Sequence, residues 1–176
     1  GTFSLCPDGV DFKYHQIVNV YQDANAYWIE RDWTKIERPN QRRPDGNIQS
    51  MMKDENWYEL VVGDTSRSGG QWDIWEATYS PVGPDGYPRR IWDKQTGAID
   101  KVVAETWKKY DLRHILETNW TALGPKLAHK LNVYIGDMDS YYLNMGVRML
   151  DEFLKQRAKD PPFTGEIVFQ PMAPHC

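Results

Sequence analysis

The sequence has no surplus of positive charge. Its 176 residues carry 21 Lys and Arg against 25 Asp and Glu, a formal net charge of −4. A chain so composed lacks the basic face that a binder of phosphates needs, which excludes nucleic acid as the main partner. No apolar run approaches a membrane span and no signal-peptide pattern is present, so no membrane partner is expected. The only cysteines are Cys6 and Cys176, too few for a disulfide scaffold or a zinc set. A single bridge between the termini and two free thiols both remain open, and the redox compartment with them. There is no internal repeat, low-complexity tract or evident linker. No G-x-S-x-G occurs anywhere, so the strained turn that exposes a serine nucleophile at a strand tip is missing as well.

What is abundant is aromatic: eight Trp and ten Tyr. Aromatics in this number build a bulky core by default. The competing reading is a sugar-stacking platform around Trp28, Trp33, Trp57, Trp72 and Trp75.

The length fits one domain over residues 1–176. Residues 1–95 form a first strand plus an aromatic, loop-rich region, and residues 96–176 a helix–strand–helix–strand segment. Thr2 to Leu5 alternates like a strand and stops at Pro7-Asp8-Gly9. A domain seldom opens on a central strand, and this one begins with Gly1, so an upstream segment is expected. Val10 to Glu30 has no clean period and reads as short helix or irregular structure. The arginines Arg38, Arg42 and Arg43 sit among Pro, Asn, Gln and Gly, which reads as a solvated loop. Asn47 is placed to cap a helix running to about Leu60, with Ile48, Met51, Met52 and Tyr58 to one side. Gln71 to Tyr79 and Ile99 to Tyr110 read as amphipathic helices. Asp111 caps another through Thr118, and Gly124-Pro125 breaks that region.

The most informative stretch is Leu131-Asn132-Val133-Tyr134-Ile135-Gly136-Asp137-Met138-Asp139. An apolar, β-branched and aromatic run is a buried strand, and here it ends on a glycine and two carboxylates. A helix from Tyr141 to about Lys159 follows, with Leu143, Val147, Leu150 and Leu154 as its buried stripe. A second strand-like run, Gly165 to Gln170, leads to the closing Pro171-Met172-Ala173-Pro174-His175-Cys176. One of the two acids can cap the helix, and one can orient an imidazole and stabilise it when protonated. Asp139 is assigned the second role, with Asp137 in reserve. Among the four histidines only His175 follows a strand and comes after the acid; His15, His114 and His129 lack that context. Asp137-x-Asp139 also opens like a calcium loop, but Tyr141 takes the next ligand position and no glycine or distal Glu follows in register. No metal or cofactor is expected.

Strand, acid, helix, strand and histidine is the order in which α/β-hydrolases deliver the last two members of their triad. The chain resembles the C-terminal half of bacterial esterases of the α/β-hydrolase superfamily. The resemblance runs through Phe3 to Phe12, Ser68-Gly69-Gly70-Gln71-Trp72-Asp73-Ile74-Trp75, Ser80 to Pro88, Tyr134 to Leu143, and Pro174-His175-Cys176. It implies that Asp139 and His175 are the triad acid and base, that the segment like Phe3 to Phe12 follows the nucleophile elbow, and that the substrate is a small carboxylic ester. The expected fold is α/β, a partial hydrolase-like sheet of about three strands with several helices and a loop-rich aromatic insertion. Ser66 and Ser68 are the nearest imitation of an elbow, but they lack its first glycine and its preceding strand. The expected function is therefore an incomplete serine-esterase-like fragment, inactive alone, that self-associates or needs an N-terminal partner to complete its sheet. The alternative is a non-catalytic binding or assembly module presenting an aromatic surface. A third reading is a complete enzyme with an unrecognised nucleophile or a site shared across a dimer.

Overall fold

A computed structural model describes all residues, Gly1–Cys176. Three strands, β1 (Thr2–Leu5), β6 (Leu131–Gly136) and β7 (Glu166–Gln170), form a parallel sheet in the order β1-β6-β7. The register pairs Leu5 with Tyr134 and Gly136 with Gln170. Because all three strands point the same way, their C-terminal tips share one edge, where open α/β sheets place their ligands. Two small antiparallel pairs lie between β1 and β6 in the chain, β2 (Trp28–Arg31) with β3 (Thr34–Glu37) and β4 (Pro39–Arg42) with β5 (Ile48–Met51). With five α-helices, the architecture is α/β with a three-stranded parallel sheet and small antiparallel additions.

The helices are α1 (Met52–Val62), α2 (Gln71–Tyr79), α3 (Lys101–Trp107), α4 (Leu112–Leu127) and α5 (Asn144–Glu152). Asp100 and Asp111 cap α3 and α4 through side-chain bonds to backbone N–H groups. Asp111 also accepts Phe12 N at 3.1 Å and the Tyr21 hydroxyl at 2.9 Å, which ties the N-terminal loop to that cap.

Two apolar clusters divide the interior. The strand β6 and α5 share one, in which Val133, Ile135, Val147, Leu150 and Leu154 are buried. The other is aromatic: Phe12, Tyr27, Trp72, Trp75, Trp92 and Trp107 bury together above α1, α2 and α3. Trp72 and Trp75 therefore belong to the core, whereas Trp33 is 94% exposed.

Several local readings are corrected. The expected helix from Asn47 is strand first: Ile48–Met51 pairs with β4, and the helix begins at Met52. Cross-strand pairing satisfies that backbone earlier than a helix turn would. The helix after Asp111 does not end near Thr118 but continues to Leu127, leaving helical dihedrals at Asn119; Gly124 there packs against Trp120 and Pro161. The last helix starts at Asn144 rather than Tyr141 and finishes in a π-helical turn, Phe153–Arg157. Of the arginine cluster only Arg43 is exposed, as a solvated loop requires; Arg38 and Arg42 are not. Arg38 is 5% exposed and ion-paired to Asp23 at 2.6 Å, and Arg42 reaches the acid loop described below.

Candidate active site

The β6 tip and the C-terminal tail build one constellation. Asp139 Oδ2 lies 2.7 Å from His175 Nδ1. The same carboxylate caps the turn into α5, since Oδ1 accepts Tyr141 N at 2.9 Å and Leu143 N at 3.1 Å. One residue thus makes both contacts that the sequence offered to the pair of acids, the helix cap and the imidazole. Asp139 is fully buried, and the His175 side chain is 26% exposed. With Nδ1 committed to the acid, Nε2 is the nitrogen left for chemistry.

The reserve acid, Asp137, anchors the tail instead. Its Oδ1 accepts Met172 N at 2.7 Å, and its carbonyl accepts Asn144 Nδ2 at 2.8 Å. Gly136 makes the tail's path feasible: a Cβ there would lie 2.1 Å from Ala173 O and 2.4 Å from Pro174 O. Arg42 braces the acid loop, donating Nε to Asp139 O at 3.0 Å and a terminal nitrogen to Asn144 Oδ1 at 3.2 Å, with its guanidinium 4.4 Å from the Tyr142 ring centroid. No sequence signal marked Arg42, because its partners lie about a hundred residues away along the chain.

The tail is also fastened covalently. Cys6, at the tip of β1, is bonded to Cys176, the residue after His175. This resolves the choice left open between a bridge and free thiols. The bridge holds the chain end beside the strand tips, so the imidazole is tethered on both sides. Cys176→Ser should therefore free the tail. Two-dimensional NMR is expected to show the strongly deshielded Nδ1 proton of the Asp139–His175 pair lost, with global stability lower by about 2–4 kcal/mol. Retention of that proton in the bridge-free variant would show the bridge to be irrelevant to the site.

Beside His175 is a cavity of about 180 Å³ lined by Asp8, Gln16, Gln71, Trp75, Tyr141 and Leu143. The Tyr141 ring meets the imidazole edge-on at 5.3 Å. Ser66 and Ser68 do not line it. The Ser66 hydroxyl is donated to Glu76 at 2.6 Å and that of Ser68 to Asp73 at 2.6 Å. Both hydroxyls bind buried carboxylates and neither has an imidazole partner, which removes them as nucleophile candidates of the expected kind.

His15, set aside in the sequence, is fully buried, 4.2 Å from the ring of Trp75, which lines this cavity, and 5.2 Å from that of Trp72, and neither ring nitrogen has a partner. Gly9 lets it in, since a Cβ there would fall 1.8 Å from His15 Nδ1. Burial pushes the His15 imidazole down to about 3. Unfolded, the ring titrates near 6.5, so below that pH the unfolded state takes up a proton the folded state refuses. The stability it contributes is whole above pH 6.5 and drains, at up to about 1.4 kcal/mol per pH unit, as pH falls toward 3. Glu76 works in the opposite sense. Burial, against the pull of Lys94 and the Ser66 hydroxyl, lifts its carboxyl from 4.5 to about 7. Its contribution is whole below pH 4.5 and lost as pH rises to 7. Between 4.5 and 6.5 the two slopes oppose, so urea midpoints should be nearly flat there. His15→Phe should instead grow more stable as pH falls from 6.5 to 4.5; a midpoint that tracks the unsubstituted protein would refute the assignment to His15.

Comparison with family models, with curated proteins and with solved structures finds no match to this chain. No group of three or more His, Cys, Asp or Glu side chains is arranged to hold a metal ion. No helix is long and apolar enough to cross a membrane.

Proposed function

We propose that these 176 residues carry the acid and base of a serine-esterase-like carboxylic ester hydrolase whose nucleophile comes from outside them, in a partial α/β-hydrolase sheet. The observation that carries this reading is the 2.7 Å contact of Asp139 Oδ2 with His175 Nδ1 at the C-terminal edge of a parallel sheet. In the complete site a serine hydroxyl attacks the ester carbonyl while His175 Nε2 takes its proton, and Asp139 holds Nδ1–H and stabilises the imidazolium. The imidazolium then gives that proton to the leaving alkoxide. Water repeats the sequence on the acyl-enzyme, releasing the acid and restoring the serine.

The free edge of β1 supports the same reading. One side of β1 pairs with β6 and the other pairs with nothing, while Phe3 and Leu5 are each 69% exposed. An uncovered edge of this kind is a template for another strand, and the nucleophile-bearing strand belongs there. Alone, the chain is expected to self-associate in light scattering at micromolar concentration, and Leu5→Lys to suppress this. A compact monomer throughout would count against an open edge. The Cys6–Cys176 bridge favours an oxidising compartment.

Fluorophosphonate labelling tests the function. The isolated chain should label on no serine. Extended through its upstream coding sequence, it should label on a serine within G-x-S-x-G, and His175→Ala should abolish this. Histidine-dependent labelling of a serine within residues 1–176 would place the nucleophile inside the chain and overturn the proposal.

A further inference from the structure

Residues 15–18 form a tight turn. His15 and Val18 exchange backbone hydrogen bonds, each 3.1 Å, and the two central residues have φ of +48° (Gln16) and +58° (Ile17). Positive φ at both central positions is the pattern of a type I′ turn, whose usual occupants are Gly, Asn and Asp. A β-branched isoleucine in that region is a genuine outlier. Non-glycine residues held there cost about 1–3 kcal/mol each, and such strain concentrates at ligand sites.

The strained turn delivers one side chain to the wall beside the imidazole. Gln16 is 1% exposed, lines the cavity that His175 faces, and has an amide Oε1 with no partner. A leucine would fill the same space without leaving a buried acceptor unpaired, a penalty of about 1–3 kcal/mol. An orphaned amide at this position therefore points to a hydroxyl donor that arrives with a ligand. Asp8 and Gln71 add a carboxylate and a second amide to the same lining, Trp75 adds a ring whose Nε1 is likewise unpartnered, and Tyr141 and Leu143 complete the wall. A cavity of about 150 Å³ accommodates benzene, so 180 Å³ holds one six-membered ring with a polar substituent. The Asp8 carboxylate disfavours an anionic ring substituent.

We infer that this cavity is the substrate pocket and takes an ester bearing a neutral, hydroxylated six-membered ring, with Gln16 as the residue that reads the hydroxyl. The inference rests on the acid–base assignment of Asp139 and His175. Two sources share the chemistry, a phenolic ring and a pyranose.

The test is an NMR titration of the intact chain with methyl 4-hydroxybenzoate, with a methyl pyranoside acetate, and with methyl benzoate as the hydroxyl-free control. One hydroxylated probe should move the His175 ring and Gln16 side-chain resonances saturably, and bind about tenfold more tightly than methyl benzoate. Whichever of the two binds identifies the source. Gln16→Leu, or Gln16→Met should the first fail to fold, should erase that tenfold difference while leaving methyl benzoate unweakened. Equal binding of all three probes to the unsubstituted chain, or shifts confined to other residues, overturns the inference. The deshielded Nδ1 proton of His175 separates the two claims. Its presence without ring binding sinks the pocket and spares the acid–base pair, whereas ring binding without it upholds the pocket and sinks the pair.

Discussion

Lys94→Met is expected to cost about 3–5 kcal/mol of stability, because it removes the one cation bound to a set of buried carboxylates. Lys94 is 1% exposed and donates to both Glu59 and Asp73, which are themselves buried. The remaining acceptors are committed elsewhere: Glu59 takes Trp72 N, Asp73 takes the Ser68 N–H and hydroxyl, and Glu76 takes Ile91 N and the Ser66 hydroxyl. Burial raises the carboxyls of Glu59 and Glu76. At Asp73 burial works the same way, but hydrogen bonds from Lys94 and Ser68 overcome it and hold the group below its ordinary value. Without the ammonium, Glu59 and Asp73 must be ionised and unpaired or take up protons from neutral solvent. The loss should shrink as pH falls and they protonate. Lys94→Met combined with Glu59→Gln and Asp73→Asn should recover most of it, since such a set destabilises through its unpaired member rather than through lost attraction. Urea midpoints at pH 7 and pH 4.5 make the measurement. An unchanged midpoint in the single variant would mean that water reaches the cluster.

The second large effect concerns chemistry. For the ester hydrolysis proposed above, with the nucleophile supplied, Asp139→Asn should lower kcat by about 10⁴ while leaving the fold intact. Asparagine keeps an oxygen to accept Tyr141 N and Leu143 N, so the turn into α5 survives. Its amide nitrogen then faces His175 Nδ1 and donates to it, which drives the ring proton onto Nε2. The nitrogen that must accept the serine's proton is thereby occupied. In the isolated chain the same substitution should erase the deshielded Nδ1 proton without changing stability by more than about 1 kcal/mol, the scale of a single helix-capping bond. Ester turnover at an unchanged rate after the Asp139→Asn substitution would remove Asp139 from the proposed mechanism. Asp137→Asn offers the contrast: its carboxylate holds Met172 N and should affect tail order more than chemistry.

Much of the site could be read from local pattern. Strand β6 is a short β-branched run ended by a glycine, and Asp139 stands where that run must turn. His175 drew weight only from order along the chain, after an acid and a strand. Those signals are short-range, and the structure brings the two residues together because parallel strands end on one edge. The helix cap at Asp111 was legible for the same reason, being settled within one turn of backbone.

Residues that act at long range left no such mark. Arg42 touches Asp139 and Asn144 across about a hundred residues, and in sequence its Pro, Asn and Gly neighbours describe a loop. Ile48–Met51 has the composition of a first helical turn, and only the partner strand β4 makes it extended.

By itself, the sequence determined the β6 strand with its acid tip, the amphipathic stripe of α5 and the lack of a serine elbow, since each follows from spacing and composition within a few residues; that the strands run parallel, and which tryptophans enter the core, it left open. Tertiary structure alone decided that Cys6 meets Cys176, that His15 is buried without a partner, that Gln16 is forced into a left-handed turn beside His175, and that Ser66 and Ser68 serve buried carboxylates. The reason is physical. A residue's burial and partners depend on which distant segments pack over it, and that packing is set by the whole chain at once.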